Sequence, residues 1–179
     1  MKIVVAGGSG FIGEPLVRRL VAKGHDVAVL SRDPARVKAG RGLQWDAKSQ
    51  GGWSAEAAAA DVVINLAGEN VGEGRWTEER KRRMVASRLD STAALVEAMR
   101  REPDRRRTYI SASAVGLYGN RGDEILHESS DPGKGFLAEL VSRWETAARD
   151  AEPLARLVII RFGVVLSTEG GALSKLLLP

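Results

Sequence analysis

The chain has no cysteine and only two histidines. Disulfides, thiolate nucleophiles and thiolate-bound zinc are thereby excluded, and a histidine-rich site has too few ligands, so no metal is expected. It also lacks any run of about 18 apolar residues that would span a bilayer, and its first residues read as a buried strand rather than a signal sequence. These absences fit a cytoplasmic protein with no membrane partner. Aromatic residues make up 5% of the 179 positions, and the basic residues behind the net charge of +4 are scattered. The basic stripe with interleaved aromatics that marks a nucleic-acid surface is therefore missing, and no nucleic-acid partner is expected. The densest basic clusters, Arg80–Arg83 and Arg105–Arg107, fall on a predicted helix and in the loop after it, and read as solvated surface.

Repeats, low-complexity tracts and linkers are absent too, and 44% hydrophobic residues suit a single domain over residues 1–179. What the chain does have is alternation: short β-branched runs take turns with helical patterns from one end to the other, the mark of a parallel sheet with crossover helices. Strands are expected over Lys2–Ala6, Asp26–Leu30, Gly42–Trp45, Asp61–Leu66, Thr108–Ser111 and Arg156–Phe162. A helix over Phe11–Lys23 carries Ile12, Leu16, Val17, Leu20 and Val21 on one face, takes Pro15 in its first turn and stops at Gly24. Others are expected over Ser54–Ala60, Gly135–Asp150 and Thr77–Arg101, the last with Val85, Leu89, Thr92, Val96 and Met99 as its core stripe. Together these describe an α/β fold built on a doubly wound parallel sheet.

Gly7, Gly10 and Gly13 form GxxGxxG at the first strand-to-helix junction. Glycines there permit a tight turn, close backbone approach to a phosphate and close helix packing, and the helix N-terminus adds unpaired N–H groups. Gly7, Ser9, Gly10, Phe11, Ile12 and Gly13 are thus expected to hold a dinucleotide pyrophosphate. The second strand ends in VLSRDP, where a carboxylate would normally accept hydrogen bonds from an adenosine ribose, but Ser31 and Arg32 stand there instead. A carboxylate would repel a 2′-phosphate, whereas Arg32 offers it charge-assisted bonds, so NADP(H) is expected over NAD(H), with the adjacent Asp33 as the opposing feature. Asp46, closing the third strand, either reaches the adenine amino group or forms a turn. Leu66, Ala67 and Gly68, closing the fourth, let the backbone pass close to a cofactor. In GENVGEGRWT, residues 68–77, Glu69, Asn70, Arg75 and Trp76 are candidates to line a substrate cleft, with Arg75 suited to a carboxylate or phosphate; Trp76 has the alternative of pinning the helix start to the interior.

The segments GGSGFIG, NLAGENVGEGRWTEERKRRMVASRLDST, SASAVGLYG, FLAELVSRWETAA and RFGVVLSTEGGALSKLLLP resemble the atypical extended short-chain dehydrogenase/reductases of the NAD-dependent epimerase/dehydratase-like group. The likeness covers essentially the whole chain. It implies a Rossmann-type, three-layer α/β/α fold with bound NADP(H) and hydride transfer to or from a carbonyl or alcohol carbon of a small-molecule substrate. It also makes Arg161 a candidate cofactor contact and STEGGALSK a cap over the nicotinamide side. In the wider superfamily a Ser or Thr ends the fifth strand and a Tyr-x-x-x-Lys pair opens the next helix, the Tyr moving the proton and the Lys lowering its pKa. Ser113 matches the first position, with a simple turn hydroxyl as the alternative. The pair is not matched: Phe136 and Leu140 stand in its place, and no tyrosine follows Tyr118. Tyr118, five residues after Ser113, is the candidate replacement proton donor, with packing or substrate contact as the alternative. Two function classes remain, an NADP(H)-dependent oxidoreductase or epimerase-like enzyme with an atypical active site, and a non-catalytic NADP(H)-binding sensor or interaction module. The group also carries a C-terminal substrate lobe that the chain, ending in LLLP, lacks, so apolar surface is expected to be exposed. The substrate and any homo-oligomer are left open.

Overall fold

The β-branched runs form strands β1 (Lys2–Ala6), β2 (Asp26–Ser31), β3 (Arg41–Gln44), β4 (Val62–Asn65), β5 (Thr108–Ala114) and β6 (Arg156–Phe162). They pair in parallel in the order β3-β2-β1-β4-β5-β6. Runs such as IVV in β1 and VAVL in β2 are buried on both faces, as central parallel strands require. The chain winds outward from β1 to β3 and then crosses back to β4, so the direction of winding reverses between β1 and β4. Such a reversal is where open parallel sheets take their ligands, in the crevice outside the C-terminal ends of the strands. This computed structural model describes residues 1–168, 170, 171 and 173; the parts of STEGGALSK at 169, 172, 174 and 175, and the LLLP end, lie outside the described residues.

Among the described residues, four α-helices, α1 (Gly13–Ala22), α2 (Trp53–Ala58), α3 (Glu78–Met99) and α4 (Phe136–Arg149), cover the sheet unevenly. On one face, α2, α3 and α4 bury Val4, Leu30, Val63 and Tyr109 beneath Trp53, Leu95, Met99 and Ala148. On the other, Val17, Leu16 and Leu20 of α1 pack on Ile3, Val5, Val27, Val29 and Ile64. This second layer thins toward β6, where Ile160 is 41% exposed. Two short strands, β7 (Leu166–Ser167) and β8 (Gly170–Gly171), pair antiparallel after β6, and the glycine backbone of β8 rests on the ring of Phe11. Among the described residues no helix is long and apolar enough to cross a membrane.

Three expectations shift. α1 begins at Gly13 rather than Phe11, because the glycine turn consumes Phe11 and Ile12. In α3 the buried face contains Met84, Ser91, Thr92, Leu95, Val96 and Met99, while Val85 and Leu89 are only half-buried. The helix lies between α2 and α4 and buries small polar residues as well as aliphatic ones, which rotates the stripe away from a count of apolar residues alone. Arg80 and Arg107 are 8% and 6% exposed, not solvated. Arg80 Nη2 donates to the Asn70 carbonyl, and Arg107 Nη2 donates to the Glu102 carbonyl.

Gly13 is one of the tightest points of this architecture, since a side chain there would collide with the Gly7 carbonyl and with Gly8. Gly13→Ala is expected to lower the thermal midpoint by roughly 5 °C or more, equivalent to about 2 kcal/mol. Gly52→Ala, at φ −57° with no atom within 4 Å of the new Cβ, should leave the midpoint unchanged or raise it slightly. Differential scanning calorimetry of both variants checks the contrast.

Candidate functional site

The glycine turn and the turn after β4 meet backbone to backbone across the crevice. Gly7 sits at φ +77°, and a Cβ there would lie 2.8 Å from both the carbonyl carbon and the oxygen of Leu66 and 3.0 Å from Ala67 N. Only glycine satisfies both the left-handed backbone and the lack of space. Gly10 N donates to Gly7 O at 3.0 Å, closing the turn, and α1 then starts at Gly13, its N-cap Ile12 offering no side-chain hydrogen bond. At this helix start Glu14 N donates to Gly10 O at 2.9 Å and Pro15 carries no N–H, so the backbone donors open to an anion are those of the glycine turn itself. Ser9, Gly10 and Phe11 are exposed along this turn and Ile12 is half-buried.

The facing turn is fixed from beneath by Asn65, which is fully buried. Its Nδ2 donates to Thr92 Oγ1 at 3.1 Å and to Tyr109 Oη at 3.2 Å, while its Oδ1 accepts from Ala67 N at 3.1 Å. The buried amide is therefore satisfied on both ends, and it dictates where Leu66, Ala67 and Gly68 run. Burial pushes the Tyr109 phenol above its ordinary value, against the hydrogen bonds it receives.

At the end of β2, Ser31 Oγ donates to Asp33 O at 2.9 Å and accepts from Asp33 N at 3.1 Å, locking the turn. The Asp33 carboxylate accepts from Ala35 N at 3.2 Å and caps a short 3₁₀ turn, Pro34–Arg36. Arg32 is exposed, and its side chain makes no ion pair among the described residues. Asp46, also exposed, spends Oδ1 on the N–H groups of Ser49 at 2.7 Å and Lys48 at 2.9 Å; those bonds, Ser49's first, hold its carboxyl below the usual range.

Across the crevice, Ser113, Tyr118 and Arg161 come together around a residue not anticipated from the sequence, Glu145 of α4. Ser113 lies opposite Arg161 in the β5–β6 register and is 3% exposed. Its Oγ donates to Glu145 Oε1 at 2.5 Å. Arg161 grips the same carboxylate with both arms, Nε to Oε1 at 2.8 Å and Nη2 to Oε2 at 2.9 Å. Its remaining nitrogen, Nη1, donates to Tyr118 Oη and to the Glu128 carbonyl, each at 2.7 Å. All three guanidinium nitrogens of the expected cofactor contact thus have protein partners. The proton inventory follows from these directions. Ser113 has spent its proton on Glu145 and keeps lone pairs to accept; Tyr118 accepts from Arg161 and keeps its own proton to give.

The positions where a Tyr and a Lys were expected are apolar in role as well as in kind. Leu140 is buried beside Met84, Leu117 and Tyr118, and the Phe136 ring meets Trp76 edge-on at 5.6 Å. Trp76 therefore staples the start of α3 to the start of α4 while remaining 39% exposed, and its Nε1 donates to Val71 O. Glu69 turns its carboxylate to Arg80 and Arg83, Asn70 bonds Glu73 and Gly72, and Arg75 is exposed.

Burial alone would push the Glu145 carboxyl up, but the bonds from Arg161 and Ser113 outweigh it and hold the group below its ordinary 4.5; the same carboxylate raises Arg161. A depressed acid contributes stability that is fully present above its unfolded value and fades as pH falls through the folded one. Urea unfolding should accordingly show a loss of stability below about pH 4.5 that is reduced in Glu145→Gln. Arg161→Met strands a buried carboxylate and is expected to cost about 3–5 kcal/mol near neutral pH.

The match to known proteins spans this whole arrangement. The family model for the NAD dependent epimerase/dehydratase family matches residues 3–167. Human epimerase family protein SDR39U1 is 36% identical over 182 residues, covering 100% of this chain and 59% of that protein. The crystal structure of human SDR39U1 isoform 2 with NADPH superposes with a TM-score of 0.82 at 34% identity, over 99% of this chain and 58% of that one. A nucleoside-diphosphate sugar epimerase from Corynebacterium glutamicum gives 0.79 at 37% identity, over 97% and 36% respectively. The chain thus spans less than two thirds of these relatives. With its glycine turn, parallel sheet order and near-complete match to the model, the chain belongs to the NAD dependent epimerase/dehydratase family.

Proposed function

We propose that this chain is the NADP(H)-binding part of a cytoplasmic oxidoreductase or epimerase-like enzyme, transferring a hydride to or from a carbonyl or alcohol carbon of a small-molecule substrate. The observation that carries the reading is the backbone contact of the Gly7 turn with Leu66 and Ala67 at the C-terminal edge of the sheet, where no side chain fits. A glycine turn of this kind lets a pyrophosphate lie close to its backbone, and a relative that shares the fold was crystallised with NADPH. Arg32, exposed at the end of β2 beside an Asp33 occupied in capping, suits a 2′-phosphate. The nicotinamide supplies the hydride when bound. Tyr118 donates its unspent proton to the substrate oxygen, and Ser113 accepts from a substrate hydroxyl, each oriented by the Arg161–Glu145 pair.

A second reading, a non-catalytic NADP(H) sensor, is favoured by two observations: Ser113 and Tyr118 are 3% and 8% exposed, and the helix that normally supplies Tyr and Lys supplies Phe136 and Leu140.

Titrating the protein with NADPH and with NADH should give NADPH at least about tenfold tighter binding, with the preference lost in Arg32→Asp. Equal affinities unaffected by the substitution would contradict the 2′-phosphate assignment. In an NADPH oxidation assay over a panel of carbonyl compounds and nucleotide sugars, Ser113→Ala and Tyr118→Phe should each lower turnover about 100-fold. No turnover with any compound, together with a partner retained only in the presence of NADPH, would favour the sensor.

A further inference from the structure

Arg88 of α3 reaches the ligand edge from below and takes no part in the chemistry above. Its guanidinium is sandwiched: Cζ lies 5.1 Å from the centroid of the Trp144 ring on one side, and on the other a Cβ at Gly68 would stand 3.0 Å from Cζ and 3.3 Å from Nε. Nη1 donates to Met84 O at 3.0 Å and Nη2 to Glu69 O at 3.2 Å. Both acceptors are neutral carbonyls. Glu69, whose backbone Arg88 holds, sends its carboxylate to Arg80 and Arg83 instead. Arg88 itself is in no ion pair among the described residues. Two buried donors here, Arg88 Nε and Trp144 Nε1, have no acceptor at all. Burial holds the Arg88 guanidinium below its ordinary value, with only the Glu69 charge acting against it.

A largely buried cation without an anion, beside an orphaned indole N–H, is an unfavourable arrangement unless negative charge arrives from elsewhere. Gly68 is where that charge has access. It follows the Leu66–Ala67 turn at the C-terminal edge and is exposed, so only its backbone separates the guanidinium from the crevice.

We propose that Arg88 is an anion-complementing residue of the ligand site, its charge acting past the bare Gly68 backbone on an oxyanion held above the β4 turn. The proposal rests on the dinucleotide reading of the crevice. The oxyanion has two sources, the diphosphate of the dinucleotide or a carboxylate or phosphate of the substrate.

Arg88→Gln removes the charge while keeping a planar amide, and Arg88→Lys keeps the charge without the fork; thermal melts first establish that each folds. NADPH affinity is then measured across ionic strength, and inorganic phosphate is titrated into the NADPH-loaded protein. If the diphosphate is the anion, Arg88→Gln weakens NADPH binding about tenfold and flattens its salt dependence, and Arg88→Lys recovers most of both. If the substrate carries the anion, NADPH binding is unchanged in Arg88→Gln but phosphate binding to the loaded protein is lost, and Arg88→Lys restores it. Equal binding of both probes to wild type and Arg88→Gln overturns the proposal, as does an Arg88→Lys variant as impaired as Arg88→Gln, which would mark a packing role. Should Arg88→Gln not fold, the apolar Arg88→Met is measured in the same way: loss of binding of either probe, recovered in Arg88→Lys, supports the proposal, and binding of both probes equal to wild type overturns it. Failure of wild type to bind NADPH removes the dinucleotide reading and this one together; wild-type binding with a silent Arg88 removes this one alone.

Discussion

The ligand edge depends on one contact, the backbone of the Gly7 turn lying directly on the backbone of Leu66 and Ala67. No side chain fits between them, so the crevice is walled by peptide groups whose positions follow from the sheet register. That register pairs Ala6 with Asn65, and the Leu66 N–H continues the ladder to the Ala6 carbonyl at 2.9 Å. Asn65 then turns the chain, with its amide fixed by Thr92 from α3 and Tyr109 from β5. A buried amide left half-satisfied would cost about 1–3 kcal/mol, so the shape of the turn is coupled to the packing of both elements.

The second polar cluster has a different character. A bidentate ion pair between Glu145 and Arg161 is weak evidence for stability, since desolvation of both charges offsets their attraction. Its structural effect is to tie edge strand β6 to α4, and its chemical effect is to decide the hydrogen-bonding direction of two hydroxyls. Ser113 becomes an acceptor and Tyr118 a donor because each touches a different member of the pair. Arg88 and Trp144 bring α3 and α4 into contact, the guanidinium lying 5.1 Å from the indole centroid.

The sheet is legible in the sequence because its strands are short β-branched runs bounded by turns, and the glycine spacing marks the switch between β1 and α1. The roles of charged helical residues are harder to read, since burial of a charge is decided by a partner far along the chain. Glu145 follows Val141 by four residues and precedes Ala148 by three, on the buried face of α4, so its phase carries a signal. That it is paired depends on Arg161, sixteen residues later on β6. Arg88 stands four residues after Met84 and three before Ser91, again on the buried face. A reading that treats charged helical positions as solvated passes over both, and for the same reason Arg80 appears solvated until Asn70 and Glu69 fold back over it. Asp33 is legible as an acid but not as a cap, because capping depends on the turn at Pro34.

Hydrogen–deuterium exchange with and without NADPH tests the crevice most directly. The account predicts slowed exchange on NADPH addition in peptides spanning residues 7–14 and 66–69, the two walls, together with those covering Ser31 and Arg32. Exchange unchanged in both walls, or protection confined to segments away from the C-terminal edge of the sheet, would contradict it.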